Sequence, residues 1–378
     1  MPLPDIPLFR PDATSLERDA LGRVLASGWW GLGPETARFE EEFAGYVQAA
    51  SGGPEAAPLH PVATSSASMA LEIAARCLSP RPARVITTPL TFVSTASAMM
   101  HAGHQVELCD IDDETLSLDW AQAAERAGRG GCPCIVVPVW YAGTVTPPPA
   151  GLPEGTVILE DCAHAAGSRG AGAHGSASAW SFHAVKNLAA GDGGMILLRD
   201  GEAAARARRL RWCGISKSTH DRVTQQGYGW DYTVSEDGEK AHMNDVTAAI
   251  ARAQLQRLDA GNARRRAIAR AYDAALAGLD WVRRPALSAG SAQHMYVIRV
   301  PAGSRAALIA HMISLGVSAG VHYRPLYHHA ALFPGAPALP VAERAWQELV
   351  TIPLFPSMTQ QDTSRVIDAI GSFRPRAA

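Results

Sequence analysis

Val157-Ile158-Leu159-Glu160-Asp161-Cys162-Ala163-His164 runs three branched aliphatic residues straight into two carboxylates. Consecutive β-branched and aliphatic side chains suit a buried strand, and the acidic pair behind them marks the strand's end. The same pattern recurs upstream, where Val85-Ile86-Thr87-Thr88 and the run 135–139 are short β-branched segments. They alternate with alanine-rich helical stretches at 66–76 and 120–127. Strand alternating with helix implies a wound α/β sheet, mostly parallel, whose ligands sit beyond the carboxyl ends of the strands. Asp161 stands where such a sheet presents its side chains to a ligand.

Further on, Trp180-Ser181-Phe182-His183-Ala184-Val185-Lys186-Asn187-Leu188 leads through the turn Gly191-Asp192-Gly193-Gly194 into an apolar strand at 195–198. A lysine at a sheet-lined turn is unusual, because lysines are ordinarily solvated. Among cofactors that need an amine and a carboxylate together, pyridoxal phosphate fits best: a lysine forms the Schiff base and an acidic side chain keeps the pyridine nitrogen protonated. Taken alone, the two residues read equally well as a surface lysine beside a capping aspartate. A phosphate calls for hydroxyls and free amides at a helix N-terminus, and Thr64-Ser65-Ser66-Ala67-Ser68 precedes the helical run 69–76. An ordinary N-cap has the same composition. Between these segments lies Pro89-Leu90-Thr91-Phe92-Val93-Ser94-Thr95, whose Phe92 suits either a flat cofactor ring or the core.

Composition narrows the classes. A chain of 378 residues with 47% hydrophobic and 19% charged residues is globular and long enough for two domains. Thirty-four basic against thirty-six acidic side chains give a net charge of -2, so no global field draws it to nucleic acid or an anionic membrane. The N-terminal segment lacks the apolar core of a signal peptide and no run of eighteen apolar residues occurs, which places the expectation in the cytoplasm. Six cysteines without C-x-x-C spacing argue against a disulfide framework and a zinc site; Cys132-Pro133-Cys134, the one close pair, reads as core, and no metal is expected.

After Asp245 a helical pattern continues to about Leu279, long enough to join two domains. Strands near 294–300 and 318–323 with a helix at 305–315 describe a smaller α+β unit. The expected division is 1–255 for a large cofactor-binding domain and 256–378 for a small C-terminal one.

The order of these elements resembles the DegT/DnrJ/EryC1/StrS family of pyridoxal-phosphate-dependent sugar aminotransferases: helix-cap serine, then T-F-V-S-T, E-D-C-A-H-A, and S-F-H-A-V-K-N-L with its D-G-G turn. Flanking motifs agree. Gly33-Pro34 followed by Phe39-Glu40 and Phe43, Gly214-Ile215-Ser216-Lys217, Lys240 to Asp245, Ala248-Ala249-Ile250 with Gln254-Leu255, His294-Met295-Tyr296-Val297-Ile298, His322-Tyr323-Arg324-Pro325-Leu326 and Ile352 to Pro356 spread the resemblance over nearly the whole chain. It implies an aspartate-aminotransferase-like (fold type I) large domain with a mostly parallel mixed sheet, plus the smaller α+β domain. By the same resemblance Lys186 is the Schiff-base lysine, Asp161 the pyridinium partner and His164 a ring contact. Ser65, Ser66 and Ser181 hold the phosphate, and Phe92 belongs to the cofactor site. Lys240 reaches the phosphate of a neighbouring subunit, which implies a homodimer with shared active sites. Trp30, His183, His322 and Tyr323 fall to the substrate.

The implied activity moves an amino group from an amino acid donor, L-glutamate in most of the family, to a keto group on a nucleotide-linked sugar or related cyclitol. A histidine in place of Lys186 would mark the dehydrating branch of the fold; the lysine argues against it. The chain departs from the family pattern at Ser65, where glycine is usual, at Trp140, where histidine is common, at His242, and in the doubled Trp29-Trp30. The competing reading is a non-catalytic sensor or regulator on the same fold. A nicotinamide enzyme is unsupported, since no G-x-G-x-x-G joins an early strand to a helix.

Overall fold

The computed structural model describes residues 5–51, 57–130, 133–217 and 231–375. Cys132 lies outside them, while Cys134 is buried at the start of a strand. The main sheet has seven strands: β1 (His60–Thr64), β2 (Arg84–Thr87), β3 (Gln105–Leu108), β4 (Cys134–Val137), β5 (Thr156–Asp161), β6 (Ala177–Ser181) and β7 (Gly194–Leu198), in the order β1-β7-β6-β5-β4-β2-β3. Strands β3, β2, β4, β5 and β6 are parallel to their neighbours. β7 runs antiparallel between β6 and β1, so β1 points the same way as β6. Every strand but β7 therefore ends on one edge of the sheet, and β7 begins there.

Side-chain alternation builds two cores on the two faces. Ala177 and Ala179 of β6 with Ile196 and Leu198 of β7 face α3 (Ala67–Leu78) and α6 (Gly201–Leu210). The alanines on both sides, Ala70 and Ala74 included, let α3 lie close against the strands. On the opposite face Trp180, Phe182, Met195 and Leu197 meet Phe39 and Phe43 of α2 (Pro34–Ser51). The outer helices α1 (Ser15–Ser27), α4 (Ser94–His101) and α5 (Trp120–Ala127) complete the layers.

Helix α7 (Asp245–Leu276) starts in this second core through Ala248, Ala251 and Leu258 and ends in another through Ile268, Ala269, Tyr272 and Leu276. That further core surrounds an antiparallel pair, β8 (Tyr296–Arg299) and β9 (Leu349–Ile352), with α8 (Arg305–Ser314) and α10 (Gln360–Gly371); α9 (Pro340–Glu348) leads into β9. A single unbroken helix thus carries the chain past residue 256. The strand expected at 318–323 is not formed. The Ser318 amide donates to the Ile6 carbonyl at 2.9 Å and Gly320 exchanges both backbone bonds with Thr351 at 3.0 and 2.7 Å, isolated contacts to two different partners that build no ladder, and His322 meets Thr351 through its side chain.

Asp245, from the motif before α7, turns out to hold two helices together. Its carboxylate accepts the amides of Gly33, Glu35 and Thr36 at 3.0, 3.1 and 2.9 Å and the Thr36 hydroxyl at 2.7 Å, capping α2 from outside its own segment. Asp245→Ala strips those buried donors of their acceptor, and unfolding should become easier by about 3 kcal/mol. Urea unfolding followed by circular dichroism measures this; a midpoint equal to the wild type's would mean the cap contributes nothing.

Candidate active site

Strand β5 ends in two acids, and its pleat sends them to opposite faces. Glu160 turns to the α2 side, where Trp140 Nε1 donates to it at 2.8 Å and the amides of Gly172, His174 and Gly175 at 2.8, 2.7 and 2.7 Å. That settles Trp140 as a buried packing residue that fixes a turn. Asp161 turns the other way, into a cavity of about 380 Å³ at the carboxyl edge of the sheet. It is 4% exposed, and its oxygens accept the Thr95 hydroxyl at 2.8 Å and the Ala163 amide at 3.1 Å. Thr91, one helical turn before Thr95, bonds that hydroxyl at 2.8 Å. Burial pushes the Asp161 pKa above the ordinary carboxylate value, against the pull of these donors and of the nearby Lys186 charge.

Lys186 enters the same cavity from the loop after β6. The loop folds on itself, with the Lys186 amide on the His183 carbonyl at 2.8 Å and the Ala184 amide on that of Gly191 at 3.0 Å. Asn187 anchors it, donating to Asn262 of α7 at 2.7 Å and to the Ala292 carbonyl at 3.0 Å. Burial lowers the Lys186 pKa from 10.5 to about 8, with the Asp161 charge opposing the shift.

One wall is aromatic. His164 Nε2 and the Tyr323 hydroxyl share a hydrogen bond at 2.9 Å, and the His164 ring centroid lies 4.5 Å from that of His294, while the buried Nδ1 has no partner among the described residues. Burial, with the Lys186 and His322 charges adding to it, keeps His164 well below its usual pKa, so the ring is neutral. His294 is itself held by Asn187 at 3.0 Å. His322, its pKa brought to about 4 chiefly by burial, and Tyr323 close the far side. Phe92 is no core residue: it is 57% exposed at the rim, 6.2 Å from the Tyr323 ring.

The floor is the N-terminus of α3. Ser66 caps the helix, its hydroxyl accepting the Met69 amide at 3.2 Å and its carbonyl the Ala70 amide at 3.0 Å. The amides of Ala67 and Ser68 have no helical acceptor, as first-turn amides do not, and both residues line the cavity beside Ser181. Gly194 makes this approach possible: a Cβ there would lie 2.4 Å from the Ser66 carbonyl oxygen. Free amides, hydroxyls and the helix dipole form a receptor for a phosphate.

The cavity gathers Ser66, Phe92, Asp161, His164, Ser181, His183, Lys186, His322 and Tyr323 of the residues singled out from sequence. It does not gather Ser65, whose side chain is exposed and whose amide pairs with the Ala241 carbonyl at 2.6 Å. Lys240 and Trp30 line a different cavity of about 350 Å³, where the Lys240 ammonium sits 4.5 Å from the Trp212 ring centroid. His242 meets the same tryptophan edge-on. The sequence pattern does not single out Thr95, Asn187 or His294, which the structure places at or beside the cavity. The i, i+4 spacing of Thr91 and Thr95 was the available signal for the first; for His294 there was no local one.

The model of the DegT/DnrJ/EryC1/StrS aminotransferase family matches residues 11–371. The chain belongs to this family. Among solved structures it is similar to the aminotransferase TlmJ of Streptoalloteichus hindustanus, at 32% identity over 97% of both chains with a TM-score of 0.84. The sugar aminotransferase CalS13 of Micromonospora echinospora is 28% identical over 97% of this chain and 100% of its own, TM-score 0.83. Spr1654 of Streptococcus pneumoniae in its pyridoxal-phosphate form is 25% identical over 97% of both, TM-score 0.83. Like other members of the DegT/DnrJ/EryC1/StrS family, the protein is a pyridoxal-phosphate-dependent aminotransferase with the fold-type I architecture expected above. The cavity fits that cofactor, with first-turn amides and hydroxyls that could hold its phosphate at one end and a buried carboxylate that could meet its ring nitrogen at the other. No helix among the described residues is long and apolar enough to cross a membrane.

The neutral amine is the form that captures the cofactor's carbonyl. With Lys186 at about 8 in place of 10.5, the rate of cofactor uptake by apoenzyme should rise through pH 8 and level off above it. Stopped-flow absorbance at a fixed excess of pyridoxal phosphate reads this; a rate still climbing past pH 10 would show an ordinary lysine.

Proposed function

We infer that the enzyme takes an amino group from an amino acid, L-glutamate in the first instance, and delivers it to a ketone on a nucleotide-linked sugar or related cyclitol. The observation that carries this reading is one cavity holding the Lys186 amine, the Asp161 carboxylate and a phosphate receptor together, open at a rim of Phe92, His183 and Tyr323. The sugar part rests on similarity to CalS13, described as a sugar aminotransferase.

Bound pyridoxal phosphate supplies the carbonyl that accepts the amino group and a ring that withdraws electrons from the reacting carbon. The chain's residues would do the rest. Asp161 keeps a proton on the ring nitrogen, because a buried carboxylate held in place by Thr95 and Ala163 gains most by pairing with a cation. The neutral His164 ring, steadied by Tyr323 and His294, would support the cofactor ring. Ser66, Ser68 and Ser181 hold the phosphate through their hydroxyls and the α3 amides. Lys186 Nζ, near pKa 8, takes a proton from the substrate carbon and returns one, since a base works best when its pKa lies near the working pH. His322 and Tyr323 face the sugar.

The enzyme is read as a homodimer. Lys240 would reach the phosphate of the partner subunit's site, which accounts for its distance from the cavity of its own chain, and Trp30 would join the same face.

The test incubates the holoenzyme with glutamate and a panel of keto-sugar nucleotides and keto-cyclitols, with products followed by mass. One aminated nucleotide sugar or cyclitol is expected. Amination of simple 2-oxo acids alone would overturn the sugar reading. In the same assay, mixed Lys186→Ala and Lys240→Ala subunits should regain activity, because one site of a mixed dimer then carries both lysines. Confirmed subunit exchange without regained activity would return Lys240 to the solvated lysines.

A further inference from the structure

A second cavity, of about 250 Å³, also borders the Lys186 loop and is bounded by that loop, the N-terminal segment, α7 and Pro356; Asp161 does not line it. Its charge is lopsided. Arg10, Arg257, Arg264 and Arg265 line it together with Lys186, and Asp12 is its one lining carboxylate. Asp12 is already engaged, accepting Arg257 at 2.6 Å, and Arg257 also reaches Glu17 at 2.9 Å. Arg10 lies over the Phe355 ring at 5.3 Å, and Arg264 donates to the Met358 carbonyl at 2.8 Å. Neither has an acidic partner among the described residues.

Arg265 is the decisive member. It is 4% exposed, and its bond to the Leu354 carbonyl at 2.9 Å is the one hydrogen bond it makes among the described residues. Its Nε is buried without an acceptor. A guanidinium carries five N–H donors and does not lose its proton in proteins, so a buried one normally meets a carboxylate. Burial alone lowers its pKa to about 10, with no acid acting on it. A charge buried in this way, beside a cavity into which two more arginines project, calls for a mobile counter-ion.

We propose that this cavity is a binding site for a small oxyanion, a carboxylate or an inorganic sulfate- or phosphate-type ion, held by Arg265 with Arg10 and Arg264. The volume suits an ion of a few heavy atoms and not a nucleotide. The ion ties four parts of the chain together beneath the catalytic lysine: the N-terminal segment, the Lys186 loop, α7 and the segment that follows β9. This site is separate from the phosphate receptor at α3, and it does not depend on the identity of the sugar.

Calorimetric titration of the holoenzyme, whose phosphate receptor is already filled, tests it with sulfate and with malonate at fixed ionic strength. One saturable site per chain is expected for at least one probe. Arg10→Gln and Arg264→Gln, both at exposed positions, should each weaken it about tenfold, the loss of one charge-assisted bond. Arg265→Gln should abolish it; if that variant fails to fold, the two surface variants decide. Tighter malonate than sulfate binding assigns the site to carboxylates, and the reverse to inorganic oxyanions. No saturable binding of either probe, or an affinity unchanged in both surface variants, overturns the proposal.

Discussion

The Asp161 carboxylate, shut into the sheet's edge with a hydroxyl and an amide as its partners, is the constraint on which the rest of the site depends. A buried acid without a cation is costly, and here the nearest cation is the amine of Lys186, itself brought down to about pKa 8 by burial. Each group limits the shift of the other. Lys186, brought to about 8, keeps a reactive neutral fraction near neutral pH. A positively charged ring nitrogen set against Asp161 would relieve the carboxylate, and use of the lysine as a covalent anchor would relieve the amine. The site is thus electrostatically suited to one kind of cofactor.

Small residues make that arrangement geometrically possible. The phosphate end needs α3 to begin directly over β7, and Gly194 permits it where any side chain would strike Ser66. The alanine seam between α3 and strands β6 and β7 brings the helix down onto the sheet, so that its dipole points into the cavity. At the other end, Asn187 and Asn262 pin the lysine loop to α7, the helix shared by both cores. Asn187 also meets the Ala292 carbonyl and His294, so the lysine loop is tied to the C-terminal part of the chain as well as to α7.

Much of this was legible in the sequence, and unevenly. Asp161 was readable as the end of a strand that hydrophobic periodicity marks and Lys186 as a lysine in the loop between two strands, and the ordered motifs supplied the cofactor. The two acids of β5 looked alike; only the pleat separates Glu160, which ties down a turn, from Asp161, which faces the cavity. The wall of His164, Tyr323 and His294 joins segments far apart in the chain, and no local pattern announces such contacts. The run 318–323 has strand-like residues but a single bridging pair, since the chain leaves β9 to put His322 and Tyr323 at the cavity. Tertiary demand there overrides β-propensity.

The chain contains three lysines, Lys186, Lys217 and Lys240, so the central assignment can be read without ambiguity. Borohydride reduction of the holoenzyme fixes the cofactor to whichever amine holds it, and peptide mapping by mass spectrometry then locates the pyridoxyl group. The account predicts that it lies on Lys186 alone. A label on Lys217 or Lys240, or none on any lysine of a protein saturated with cofactor, would contradict it.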